Sequence, residues 1–207
     1  MLCGEVILAQ PQYTYDPGSG YIGNNIPFKS TSSNRRQNMY FPSDFNSPSA
    51  GLITKIYFKG STSVSSTYTN VIVYMGTSTA SGLTAGPFVT AGMVQTLNAP
   101  SFTATSGTGN WVEFTLDTPF LWDATSNLII DVQHAGYSVG FTAQFINASG
   151  RLSLYGASNA TSPSDQTRLP IFGYDMTPSG SLCTGLPQAG IALSDTSDVC
   201  ANDTVYL

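Results

Sequence analysis

The sequence predicts an all-β protein: an antiparallel β-sandwich, jelly-roll-like, of about nine strands. Three observations predict it. The first is period-two alternation between Trp111 and Val132. Val112, Phe114 and Leu116 share one face and Glu113 and Thr115 the other; after a turn, Leu128, Ile130 and Val132 resume opposite Ile129, Asp131 and Gln133. The second is punctuation: 20 Gly and 12 Pro recur about every ten residues and leave no amphipathic helix of convincing length. The third is composition. Only 9% of residues are charged, against roughly 25% in ordinary domains, while 41% hydrophobic and 12% aromatic residues supply a core and argue against disorder.

In chain order, the expected strands are Gln37–Phe41, Leu52–Lys59, Asn70–Met75, Met93–Leu97, Trp111–Leu116, Leu128–Gln133, Gly140–Ile146, Leu152–Tyr155 and Leu169–Tyr174, a spacing that suits a sandwich or jelly roll. In Leu52–Lys59, alternation places Lys55, Tyr57 and Lys59 on one face and Leu52, Thr54, Ile56 and Phe58 on the other, with Ile56 and Phe58 in the core. Asn70–Met75 is apolar on both faces and reads as a central strand. Pro119 and the polar run Asp123 to Asn127 break the pattern after Trp111–Leu116. Three polar stretches, Asn24 to Arg36, Thr77 to Phe88 and Gly156 to Thr167, read as loops.

At the N-terminus, Met1 to Gln10 is a short apolar run ending Ala9-Gln10, with no basic region before it. Residues 1–12 are a signal-peptide remnant or a leading edge strand. The sandwich spans 13–176, and 177–182 is a linker by composition. Residues 183–207 are too few to bury a core alone and read as the cut start of a second domain. Cys183 and Cys200 suit a disulfide at that start in an exported protein; two free thiols are the alternative.

Composition also excludes function classes. Seven basic residues and a net charge of −5 make no nucleic-acid footprint. The Arg35-Arg36 pair reads as solvated turn residues, with Arg36 in reach of a carboxylate near Tyr40. No apolar run is long enough to span a membrane.

A resemblance rests on particular residues. Pro27-Phe28, then Arg36-Gln37-Asn38-Met39-Tyr40, the strand Gly51 to Phe58, Val73-Tyr74-Met75-Gly76-Thr77, and above all Pro119-Phe120-Leu121-Trp122-Asp123-Ala124-Thr125-Ser126-Asn127-Leu128 together resemble a jelly-roll-like β-sandwich domain of very large secreted bacterial surface proteins. The likeness covers about Tyr13 to Met176. The tail, Cys183-Thr184-Gly185-Leu186-Pro187-Gln188-Ala189-Gly190 and then Val199-Cys200, resembles the opening of an immunoglobulin-like repeat. The resemblance implies an extracellular or cell-surface location, neighbouring domains in the same chain, and a role in adhesion, surface architecture or as an accessory to secreted enzymes. It carries no catalytic residues.

Candidate site residues follow from chemistry. Aromatic faces stack on sugars, so Tyr21, Tyr57, Trp122 and Tyr137, with Trp111, are the residues through which surface glycans or polysaccharide would bind; core or rim packing is the competing reading of both tryptophans. Asp123 and Asn127 read as turn-closing residues. Asp16, in Asp16-Pro17-Gly18-Ser19-Gly20, is a weak calcium candidate, since calcium needs six to eight oxygens; no other cofactor is expected. His134 is the only histidine, so a triad would have to use it, yet no Gly-x-Ser-x-Gly elbow is present. It reads as a surface or loop residue. Glu113 with an Asp is the carboxylate pair a glycosidase would need. Three hypotheses result: a non-catalytic adhesion or spacer module, a carbohydrate-binding module with exposed aromatics in line, and a hydrolase joining Glu113 or His134 to a second titratable group.

Overall fold

The computed structural model describes residues 10–30 and 33–178. Residues 1–9 of the expected leader or edge strand at 1–12, the expected repeat at 183–207 and the Cys183–Cys200 pair lie outside the described residues.

The described residues are all-β and antiparallel, with fourteen strands: β1 Tyr13–Tyr15, β2 Ile22–Asn24, β3 Asn34–Tyr40, β4 Gly51–Lys59, β5 Val64–Ser78, β6 Val94–Ser106, β7 Trp111–Trp122, β8 Asn127–His134, β9 Gly136–Tyr137, β10 Ala143–Asn147, β11 Ser153–Gly156, β12 Ser164–Gln166, β13 Arg168–Pro170 and β14 Phe172–Pro178. A single 3₁₀ turn, Pro42–Asp44, is the helical element among the described residues. One sheet has the order β1-β14-β4-β7 and a second the order β13-β10-β2. They are joined by a Gly60–Ala143 bridge and by Ile171 N–H donating to Gln144 C=O at 2.9 Å. The third runs β12-β11-β3-β8-β5-β6, with β9 on β5. The inward rows of the opposed layers meet in one core that includes Tyr40, Ile56, Phe58, Val73, Phe114, Trp122, Ile130, Val132, Phe145 and Phe172.

Eight of the nine expected strands are present with shifted boundaries, and the ninth, Leu169–Tyr174, is split at Ile171 between β13 and β14 of different sheets. The four added strands β1, β2, β9 and β12 are two or three residues long, too short to show alternation. In β4 the register shifts between Ile53 and Lys55. This bulge inverts the phase, so Ile53 is buried while Leu52 is 36% exposed, and Ile56 and Phe58 stay inside as expected. Pro119 does not end β7. It falls in the same irregular stretch, on an edge strand with no neighbour on its far side, where a missing N–H is tolerated. On β6, also an edge, Pro100 sits between the Thr69–Ser101 and Val71–Ala99 pairs. Its neighbour Asn70 takes φ 51°, a left-handed conformation that asparagine accepts better than β-branched residues. Thr177 and Pro178 lie in β14 rather than in a linker.

The central strand expected at Asn70–Met75 lies in β5, between β6 and β8. Its sheet carries a second small core on its outer face, where Leu83 and Phe88 of the 79–93 connection cover Met39, Ile129 and Leu154. That connection is clamped: the Gln37 amide donates to Val89 C=O and accepts from Val89 N–H, each at 2.9 Å. Gln37 also donates to Asp131 at 2.8 Å, and Arg35 Nη2 meets the same carboxylate at 2.6 Å. Arg35 stacks on Phe88. The arginine pair is thus not a solvated turn. Both residues lie in β3, and Arg36 is fully buried with no carboxylate partner among the described residues (its acceptors are neutral oxygens).

His134 is likewise buried, at 2% exposure, against the expectation of a surface residue. Three consecutive carbonyls explain it. Pro27 C=O bonds His134 Nε2 at 2.6 Å, Phe28 C=O accepts from Tyr68 OH at 2.8 Å, and Lys29 C=O accepts from Tyr137 OH at 2.7 Å. This ladder fastens the 25–29 turn and drives Phe28 into the core. His134 Nδ1 has no hydrogen-bond partner among the described residues, and burial, partly opposed by the Pro27 bond, holds its pKa below the ordinary value. The unfolded chain therefore binds this proton first as pH falls. Stability from His134 is complete above about pH 6.5 and drains away below it, at no more than about 1.4 kcal/mol per pH unit. Asp131, raised by burial against the pull of Arg35, works in the opposite sense. Urea midpoints at pH 7.5 and 5.5 are expected to fall for the wild type relative to His134→Gln, which keeps a donor for Pro27 and cannot titrate. Equal slopes for both proteins would remove His134 as the cause.

Candidate functional site: the outer face of the four-stranded sheet

β4 carries Lys55, Tyr57 and Lys59 on its outer face, as alternation predicts. Ladder register sets Thr115, Glu113 and Trp111 of β7 opposite them in turn, and Asp175 of β14 opposite Lys55. In a chain so poor in charge, this concentrates five charged groups, Lys55, Lys59, Glu113, Asp175 and Asp16, on one surface once Asp16 joins from beyond β1.

The face divides into two clusters. In the first, Tyr57 OH donates to Asp175 Oδ2 at 2.6 Å and reaches Glu113 Oε2 at 3.3 Å. Lys55 pairs with Glu113 at 3.0 Å, and Thr115 donates to it at 2.9 Å. Burial opposes ionisation of Glu113, but Lys55 and the hydrogen bonds from Thr115 and Tyr57 outweigh it and hold its carboxyl below the usual range. Burial, then Asp175 and Glu113, push the Tyr57 phenol far up. The two carboxylates thus share one phenol, which fills the space between them.

In the second, Lys59 Nζ pairs with Asp16 Oδ2 at 2.6 Å, and Asp16 Oδ1 accepts from Tyr21 OH at 2.5 Å and Gly18 N–H at 3.0 Å. Burial is again outweighed, and the lysine, tyrosine and backbone donors hold the Asp16 carboxyl low. The Lys59 ammonium lies 5.0 Å from the Tyr21 ring centre and 5.5 Å from that of Trp111, within cation–π range. Both rings are half-buried. Asp16 also borders an open groove of about 660 Å³ whose walls include Thr14, Ser43, Asp44, Asn46 and Ser47. Asp44 there is held by both Arg151 Nη groups, at 2.9 and 2.7 Å.

The structure therefore brings together two of the aromatic candidates, Tyr21 and Trp111. The others go elsewhere. Tyr57 is on this face but 1% exposed and fully engaged. Trp122 is buried in the core, its Nε1–H donating to Ser126 C=O at 2.9 Å, so the packing reading of it holds. Tyr137 sits on the opposite layer, its hydroxyl given to Lys29. Asp123 closes its turn as expected, accepting from Thr125 and Ser126 N–H at 2.8 Å each. Asp16, the calcium candidate, has its charge paired with Lys59 through Oδ2, while Oδ1 accepts from Tyr21 and Gly18. Among the described residues no three His, Cys, Asp or Glu side chains group as metal ligands. Sequence reasoning missed Lys59 as the hub. Alternation showed its direction, but nothing local shows that Trp111 faces it across the ladder, or that Asp16 folds over it from the loop after β1.

No protein-family model matches the chain, and no curated protein matches it significantly. No helix among the described residues is long and apolar enough to cross a membrane.

Proposed function

We propose that the chain is a non-catalytic adhesion or structural module of a secreted or cell-surface bacterial protein, followed in the same chain by an immunoglobulin-like repeat. One observation carries the reading. The carboxylates that could serve chemistry are used as struts: Glu113 with Lys55 and Tyr57, Asp16 with Lys59, Asp44 with Arg151, Asp131 with Arg35. A catalytic pair needs substrate between its members; between Glu113 and Asp175 stands a phenol. His134 faces Tyr68 and Tyr137 in the interior. The uncharged, hydroxyl-rich surface and the resemblance to secreted surface domains support the extracellular setting.

The test is adhesion with turnover measured beside it. Beads coated with the full chain are expected to be retained on layers of bacterial cells above albumin-coated beads, with no hydrolysis of chromogenic esters or glycosides. Turnover that disappears in Glu113→Gln would overturn the reading. Chelation is expected to leave the melting temperature unchanged, since the reading needs no metal; a drop reversed by calcium would count against it.

A second reading, a carbohydrate-binding module accessory to a secreted hydrolase, is favoured by the pairing of Tyr21 and Trp111 about Lys59.

A further inference from the structure

We propose that the Tyr21–Lys59–Trp111 cluster and the groove beside Asp16 form one binding track for a neutral polysaccharide. The inference rests on the binding-module reading and gives it a location and a ligand class.

Asp16 joins the two halves. Its carboxylate borders the groove and is also the partner of Lys59. At the aromatic end, the tyrosine and tryptophan rings offer apolar faces to the axial C–H groups of a pyranose. Between them the Lys59–Asp16 pair keeps spare hydrogen-bonding capacity. The ammonium has three donors, of which Asp16 takes one at 2.6 Å and Tyr21 OH takes a weak second at 3.4 Å. Oδ2 accepts only from Lys59 among the described residues and retains a lone pair. A donor and an acceptor at hydrogen-bonding separation match a vicinal diol, which supplies one acceptor and one donor at similar spacing. Along the groove, Thr14, Ser43, Asn46 and Ser47 add hydroxyl and amide groups, with Ser43, Asn46 and Ser47 exposed.

Charge decides the class. Both acids of the track are already neutralised, Asp16 by Lys59 and Asp44 by Arg151. No net charge remains to select a uronate-rich polymer or a basic peptide, and bringing either in would desolvate its charge without a counter-ion. A neutral, hydroxyl-rich chain meets only donors, acceptors and ring faces.

The test is native affinity electrophoresis of the full chain in gels containing hydroxyethylcellulose, xylan, β-1,3-glucan, galactomannan or dextran, with alginate as the acidic comparator. Retardation by at least one neutral polymer is expected, undiminished in 0.5 M salt, where a Debye length of roughly 4 Å screens charge–charge attraction and leaves uncharged contacts intact. Trp111→Ala is expected to weaken it at least tenfold and Tyr21→Ala severalfold. Asn46→Ala, at an exposed groove position, is expected to weaken it about threefold with an unchanged melting temperature, which separates lost binding from lost folding. No retardation by any neutral polymer, retardation by alginate alone, or wild-type affinity in both Trp111→Ala and Asn46→Ala would overturn the inference and leave the adhesion reading standing. Release of reducing ends from the retarding polymer would instead overturn the non-catalytic reading.

Discussion

Phe28→Ala is expected to lower the unfolding free energy by about 3–5 kcal/mol and the melting temperature by roughly 2–4 °C for each of those kcal/mol. Phe28 is 2% exposed. Its ring stacks on Phe141 at a centroid distance of 4.3 Å and meets Phe58, Phe114 and Tyr68 at 5.2, 5.8 and 6.1 Å. Those four side chains come from both layers and from the segment before β10, and none can shift far, because each is held by a ladder or by its own hydrogen bonds. Tyr68, for instance, accepts from Phe141 N–H at 3.0 Å while donating to Phe28 C=O. The cavity would therefore stay open, which is the condition for the upper part of the range. The backbone ladder from His134, Tyr68 and Tyr137 to carbonyls 27–29 is untouched by the substitution, so the loss measures packing. Phe28→Leu, which refills part of the space, is expected to recover about half. Urea or guanidinium unfolding decides it, and a loss below about 1 kcal/mol would mean that the turn merely lies on the sandwich.

Phe28 also shows where sequence reasoning runs out. Much of the core was legible in the longer strands, because period-two alternation reports burial where no bulge interrupts it: Ile56, Phe58, Val112, Phe114, Leu128, Ile130 and Val132 are all inside. Phe28 stands in a polar stretch with no period, and its burial comes from side chains 30 to 113 positions away. The same limit applies to the candidate site. The outward direction of Lys55, Tyr57 and Lys59 was readable from β4 alone. That Tyr57 would be sealed between Glu113 and Asp175, while Lys59 would be flanked by Trp111 and Tyr21, depends on ladder register across three strands. The bulge at Ile53–Lys55 and the proline in β7 make that register unreadable from either strand by itself. His134 and Arg36 were misplaced for a related reason. Polar side chains are assigned to water by default, and both are inside because main-chain and side-chain oxygens from remote segments converge on them.

Arg36→Ala is the second substitution expected to have a large effect. The guanidinium is fully buried and lies 4.4 Å above the Phe145 ring. Nε donates to Asn38 at 2.9 Å, and Nη2 donates to Ser153 at 2.6 Å and to Arg168 C=O at 2.5 Å. One side chain thereby ties β3 and β11 of the large sheet to β10 and β13 of the facing one. Burial pushes its pKa down to about 9, only partly opposed by the Tyr40 and Tyr155 hydroxyls. The arginine remains charged at neutral pH and is solvated by neutral oxygens in place of water. Two terms then compete on truncation. Removing a buried charge with no counter-ion relieves a desolvation penalty, which is why replacing buried ions with apolar groups of matching volume is often neutral. Alanine, however, does not match the volume. It leaves a void over Phe145 and strands acceptors on Asn38 and Ser153, while Arg168 C=O keeps the Ser153 hydroxyl at 2.9 Å; each buried acceptor without a donor costs about 1–3 kcal/mol. The void and the stranded acceptors win, and a net loss of about 3 kcal/mol or more is expected. Arg36→Met keeps the length and the contact with Phe145 while discarding the charge, so it is expected to lose no more than about half as much. The two variants measured side by side by denaturant unfolding give the decision. If methionine is as damaging as alanine, the stranded oxygens dominate and the filled volume contributes little. If alanine is tolerated, the two layers do not depend on this guanidinium at that end of the sandwich.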